Sequence, residues 1–115
     1  MTFEGLHILT QRADFVRASS ARRERTPGFD LQARVRQDGE AAGIRVGFTC
    51  SKKVGNAVAR NRAKRRLREV ARLELPEHGR DGFDYVLVGR RNVTAARNFS
   101  EMRLDFVRAL QRLHP

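Results

Sequence analysis

Residues Ile44–Leu73 read IRVGFTCSKKVGNAVARNRAKRRLREVARL, and two periods meet inside them. In the first seven residues Ile44, Val46, Phe48 and Cys50 alternate with Arg45, Gly47 and Thr49. Period two predicts a strand with one buried and one wet face. Lys52, Lys53, Val54 and Gly55 form a link, and a helical pattern then runs from about Asn56 to Leu73. Ala59, Ala63, Leu67 and Val70 are spaced by 4, 4 and 3 residues, a core-facing stripe on a helix that turns about 100° per residue. Its alanines allow close packing on a sheet. Asn61, Arg65, Arg68 and Arg72 step along a different face, flanked by Arg62. One stripe docks the helix and the other presents cations.

Working toward the C-terminus, LPEHGRDG ends this helix, with Pro76 as the stop. FDYVLVGR is a strand whose run Tyr85-Val86-Leu87-Val88 predicts burial on both faces. A last helix spans about Phe99 to Leu113, with Phe99, Met102, Phe106, Leu110 and Leu113 as its apolar stripe. Asn98 and Glu101 resemble a capping box at its start.

Toward the N-terminus, FDLQARVR alternates Phe29, Leu31, Ala33 and Val35 with polar residues. QDGEAAG is the loop between this strand and Ile44, so the two alternating runs read as an antiparallel hairpin. A short irregular strand precedes the Pro27-Gly28 turn. Thr10 is the expected N-cap of a first helix, QRADFVRASS, carrying Phe15 and Val16. The expected architecture is one domain, residues 1–115. Its class is α/β, specifically an α+β two-layer sandwich with helices packed on a small sheet.

Charge narrows the function. Between Ser51 and Leu73 there are nine cations and one acid, Glu69, which together carry eight of the chain's formal net +11. A solvated helix face normally mixes signs to gain pairs four residues apart; this one does not. A sequence pI near 11.5 points to a polyanion. Guanidinium groups suit phosphates because their planar fork bonds two oxygens. Composition alone leaves DNA and RNA open, but a helix of almost only Arg and Lys suits backbone contacts or a folded RNA. No apolar run is long enough to span a bilayer, and the first residues show no cationic leader. Cys50 is the single cysteine, which fits a reducing, cytoplasmic setting. No membrane and no protein partner are expected.

SKKVGNAVARNRAKRRLRE, Ser51–Glu69, resembles the signature of the bacterial ribonuclease P protein subunit. Its core is Arg60-Asn61-Arg62, followed by Lys64, Arg65 and Arg68. LTQRADF, RVGFTCSKK and DYVLVGR lie around it in the order and spacing of that family. The resemblance implies a fold like the second domain of ribosomal protein S5, with a left-handed βαβ crossover, against the usual right-handed rule. It implies that Lys52, Lys53, Arg60, Asn61, Arg62, Lys64, Arg65, Arg68 and Arg72 bind the catalytic RNA subunit. It also implies that a cleft between the first helix and the sheet, with Phe15, Gln32 and Arg34, takes the single-stranded 5′ leader of precursor tRNA. The ribonucleoprotein then removes the leader with Mg²⁺, the RNA subunit performing the hydrolysis. Two residues depart from the family pattern. Ser19 and Gln32 stand where aromatics are usual, which weakens base stacking as the source of grip. Phe15 remains a stacking platform or, in the plainer reading, a core residue.

No catalytic residue and no metal ligand of the chain's own is expected. His7, His78 and His114 are scattered without ligand spacing, and His78 reads as exposed in a Pro/Gly loop. Cys50 reads as a small buried hydrophobe. Asp30, Asp84 and Asp105 read as polar partners on amphipathic elements. Three functions stay in view: subunit of a ribonucleoprotein nuclease, structural RNA binder of ribosomal type, and independent metal nuclease. The first is favoured, because the second has no reason to carry so long a signature and the third needs clustered carboxylates.

Overall fold

The computed structural model describes residues 2–3, 5–37 and 42–115. The elements are β1 (Thr2–Phe3), β2 (Leu6–Ile8), α1 (Arg12–Ser19), β3 (Arg22–Arg25), β4 (Phe29–Val35) and β5 (Arg45–Thr49). A short 3₁₀ turn (Lys52–Val54), α2 (Ala57–His78), β6 (Phe83–Gly89) and α3 (Phe99–Leu113) complete the chain. The strands form one sheet in the order β1-β2-β5-β6-β4-β3.

That order corrects the hairpin expected of β4 and β5. They are not neighbours; β6 lies between them, antiparallel to β4 and parallel to β5. The physical reason is in β6 itself. Tyr85, Val86 and Leu87 are all buried, so this strand needs cover on both faces and takes a central place. The amphipathic β4 and β5 flank it. The tip of the expected hairpin loop, residues 38–41, lies outside the described residues. Because β5 and β6 are parallel and joined by α2, they form the βαβ unit.

Two faces of the sheet are used differently. Phe29, Leu31, Val46, Tyr85 and Leu87 form the main core with Ala63, Leu67 and Val70 of α2 and Met102, Phe106 and Leu110 of α3. Each large apolar side chain removed from water there contributes about 1.5–3 kcal/mol. The predicted stripes of both helices thus face the sheet. On the other face α1 covers a smaller cluster, Leu9, Ala18 and Val86, with Phe15 and Val88 against it.

Three helix boundaries differ in instructive ways. Thr10 does not cap α1. Leu9 N–H still donates to Val46 C=O at 2.8 Å, which keeps the chain extended past Ile8. The cap falls at Gln11, without a side-chain bond. Pro76 does not stop α2; it sits inside the last turn, and the helix runs on to His78. Proline there forfeits only one backbone bond, and Gly79 N–H closes the end by donating to Leu75 C=O at 2.8 Å. Helix α3 begins as predicted, with Asn98 Oδ1 accepting from Glu101 N–H at 3.1 Å. The Glu101 carboxylate turns instead to Arg97, 3.5 Å away.

Candidate nucleic-acid interface

The basic helix is launched from β5 by a compact link. Ser51 Oγ accepts from Lys53 N–H at 3.3 Å, and Asn56 Oδ1 caps α2 by accepting from Ala59 N–H at 2.9 Å. Buried Val54 anchors the 3₁₀ turn. Gly55 has φ of 146°, and a Cβ there would lie 2.9 Å from Ala59 Cβ, so only glycine fits this bend. Lys52 and Lys53 are left exposed beside the helix start.

Along α2 the cations divide by use. Asn61, Arg62, Arg65 and Arg68 are exposed, and Lys64 is half-buried. Val58, Asn61, Lys64, Arg65 and Arg68 line one open groove of about 460 Å³. Val58, 77% exposed, is the member that charge counting could not reveal. Arg60 is half-buried, and its buried Nε has no hydrogen-bond partner. Arg72 is engaged within the helix, its Nε donating to Glu69 at 3.1 Å. Arg66 lies on the inner flank. It donates to Thr94 C=O at 3.0 Å and to Arg97 C=O, and its guanidinium stands 5.6 Å over the Phe99 ring. Arg66 is therefore structural cement for the loop before α3.

The expected cleft between α1 and the sheet is present. Thr10, Arg12, Phe15, Val16 and Ser19 form one wall; Gln32, Val86, Phe48 and Thr49 form the floor and far side, enclosing about 490 Å³. Sheet register explains who meets whom. Gln32, Val86 and Gly47 share one row across β4, β6 and β5. Gly47 lets the Phe15 ring approach the sheet closely, since a Cβ there would sit 2.7 Å from two ring carbons. Gly47→Ala is thus expected to push Phe15 outward and cost about 1–3 kcal/mol by overpacking. Thermal melts measure the cost, and a melting temperature equal to the wild type would show that α1 rests on something else.

Phe15 and Gln32 therefore meet in the cleft, whereas Arg34 does not line it. Arg34 belongs to the next row, with Asp84 and Arg45. Its Nη1 donates to Asp84 Oδ2 at 3.3 Å, and it borders an adjoining groove with Arg17 and Arg22. Asp84 is fully buried and also accepts from Arg36 at 2.7 Å and from Arg45 at 2.7 and 2.8 Å. Arg45 reaches on to Asp14 of α1 at 3.3 Å. Burial alone would raise the Asp84 carboxyl, but the hydrogen bonds from Arg45 and Arg36 outweigh it and hold the group below the usual carboxylate range. The reading of Asp84 as a polar partner on an amphipathic element understated it; through Arg45 this carboxylate ties α1 to the sheet.

The two surfaces touch at Phe48. Half-buried Phe48 borders the cleft at the end of β5, while its ring packs toward the main core with the Arg68 guanidinium 5.7 Å over it. Cys50 lies just beyond, buried as expected; burial pushes its thiol up, with Lys64 and then Arg60 pulling partly the other way. His78 is not an exposed loop residue: it is half-buried in the last turn of α2, 3.7 Å from Glu74. Among the described residues no group of three or more His, Cys, Asp or Glu is placed to hold a metal ion. Among them, too, no helix is long and apolar enough to cross a membrane.

Comparison with known proteins gives this geometry its kin. Residues 3–114 match the family model described as Ribonuclease P. A ribonuclease P protein component from Ruegeria pomeroyi is 61% identical over 110 residues, covering 96% of this chain and 88% of that protein. One from Paramagnetospirillum magneticum is 47% identical over 111 residues, covering 94% of this chain and 83% of its own length. The solved Staphylococcus aureus RNase P protein shares the fold with a TM-score of 0.74 at 23% identity, over 94% of this chain and 95% of that one. The Thermotoga maritima RNase P protein does so with a TM-score of 0.72 at 23% identity, over 90% and 94%.

Proposed function

This chain belongs to the ribonuclease P protein family, whose role is in tRNA processing, and on that premise we propose how its two surfaces divide the work. The exposed face of α2 binds the catalytic RNA subunit. The cleft under α1 binds the 5′ leader of precursor tRNA. The observation that carries this reading is the juxtaposition at Phe48: a cationic helix face without acidic partners adjoins a partly apolar cleft.

The chemistry follows from the residue types. Arg62, Arg65, Arg68, Lys64, Lys52 and Lys53 neutralise RNA phosphates and release counterions, giving strong, salt-sensitive binding. Arg60 brings a buried Nε without a partner to the same helix. Asn61 bonds a phosphate or ribose from the middle of the face. Phe15 offers its ring to leader bases. Bringing cations to the substrate also relieves repulsion between two RNAs, which strengthens substrate and Mg²⁺ binding indirectly. In this reading Mg²⁺ would supply Lewis-acid chemistry at the RNA subunit.

The test is cleavage of a leader-bearing precursor tRNA at low Mg²⁺ by this protein, by a bacterial ribonuclease P RNA, and by the two together. Cleavage that appears or rises sharply only in the mixture is the expected outcome. Cleavage by the purified protein alone would sink the division of labour. No change in the mixture, despite tight RNA binding, would make the chain a structural RNA binder.

A further inference from the structure

Beyond Gln32 the cleft face continues onto β3, the edge strand of the sheet. Strand β3 pairs antiparallel with β4, setting Arg23 opposite Gln32 and Arg25 opposite Asp30. Residues directly opposite in such a pair point to the same face. Arg23 and Arg25 therefore stand on the α1 side. Arg22 and Glu24 stand on the other side, where Glu24 meets Arg112 of α3 at 3.1 Å.

The two cleft-side arginines are not equivalent. Arg25 lies 4.0 Å from Asp30, which also faces Arg90 at 3.7 Å. Arg23 is exposed and has no ion pair or hydrogen bond among the described residues. Arg12, in the first turn of α1, lines the cleft and is exposed too. Ser19 and Gln32, which carry no ring and no charge, line the cleft beside Phe15, Val16 and Val86. A single strand lying there meets Arg12 on the α1 wall and, beyond Gln32, Arg23 on the edge strand.

We infer that Arg23, together with Arg12 of the cleft wall, holds the phosphates of the single-stranded leader alongside Gln32. This rests on the leader assignment proposed above and adds how the leader is read: by its backbone there, not by base identity. The competing account is edge protection, in which a charged side chain on an edge strand blocks association with other sheets. The two differ in sign dependence, because Lys and Glu protect an edge equally while only Lys attracts phosphate.

The experiment uses the reconstituted ribonucleoprotein with Arg23→Ala, Arg23→Lys and Arg23→Glu, and precursor tRNAs bearing either a purine or a pyrimidine leader. Dissociation constants are measured across a salt series, with mature tRNA as the control and Phe15→Ala as a marker of the cleft. Arg23→Ala is expected to lose about two- to fivefold in affinity for both precursors at low salt. Its slope of log K against log[salt] should fall by about 0.7, the share of one single-strand phosphate. Mature tRNA binding should not move, Lys should restore affinity, and Glu should be worse than Ala. Equal affinities for all four proteins, with Phe15→Ala still weakened, would overturn the role of Arg23 and leave the leader cleft standing. Equal binding of precursor and mature tRNA by the wild type would overturn the leader assignment and this inference with it.

Discussion

Asp84→Ala is expected to be the most damaging single substitution in the sheet. It leaves Arg34, Arg36 and Arg45 converging on a vacated site where Arg36 is 2% exposed at its side chain. Removing one partner of a buried charge network costs about 3–5 kcal/mol, because the remaining charges stay buried with only part of their compensation. A domain of this size has about 5–15 kcal/mol in total. The melting temperature should therefore fall by on the order of 10–20 °C. The bond from Arg45 to Asp14 loses its anchor as well, so α1 should loosen before the main core does. Hydrogen exchange should show α1 amides losing protection first. Because the folded carboxyl is held below its ordinary value, its stabilisation is complete above the unfolded pKa of about 3.9. It is lost as pH falls through the lower folded value. Wild-type melts should decline steeply below about pH 4, and Asp84→Asn should flatten that limb while lowering stability at pH 7. A melting temperature at pH 7 within measurement error of the wild type would refute the hub.

This hub marks where sequence reading stops. Asp84 sits between Phe83 and Tyr85 in a run destined for the sheet centre, and local pattern makes it merely a polar interruption. Only the register that sets it between Arg34 and Arg45 explains why a carboxylate belongs there. The same limit produced the false hairpin. Alternation in β4 and β5 says which face packs on the main core, and Phe29, Leu31, Ala33 and Val46 lie there, although Val35 is exposed and Gln32, on the expected wet face, is buried. It says nothing of which strand lies alongside, because strand order is decided by what covers both faces of β6. Helices were more legible, since period 3.6 is local: Ala63, Leu67 and Val70 pack inward and α3 has its predicted ends. Charge counting marked the cationic face of α2 but not its accounting of partners. Arg66 and Arg72 read like their neighbours, yet one bonds backbone carbonyls and the other Glu69. Arg34 shares a face with Gln32 but is taken by Asp84, two residues along the strand.

That distinction among arginines can be tested within one helix. Arg65→Ala with Arg68→Ala should weaken binding to the catalytic RNA by roughly 10–100-fold at low salt, since each removes a charge-assisted phosphate contact. The slope of log K against log[salt] should drop by about 2, close to 0.9 for each lost contact to duplex RNA by analogy with DNA. Stability should hardly change. Both residues are exposed, Ala is the better helix former, and only the Arg68–Phe48 contact is forfeited inside the protein. Arg66→Ala should behave in the opposite way. It removes the same formal charge, but it frees the carbonyls of Thr94 and Arg97 from their donor. Its melting temperature should fall, while the salt slope stays near the wild-type value. The pair of measurements separates charge from placement. If Arg66→Ala reduced the slope as much as either surface arginine without loss of stability, net charge alone would govern binding. The partition of α2 into an RNA face and a packing face would then be wrong.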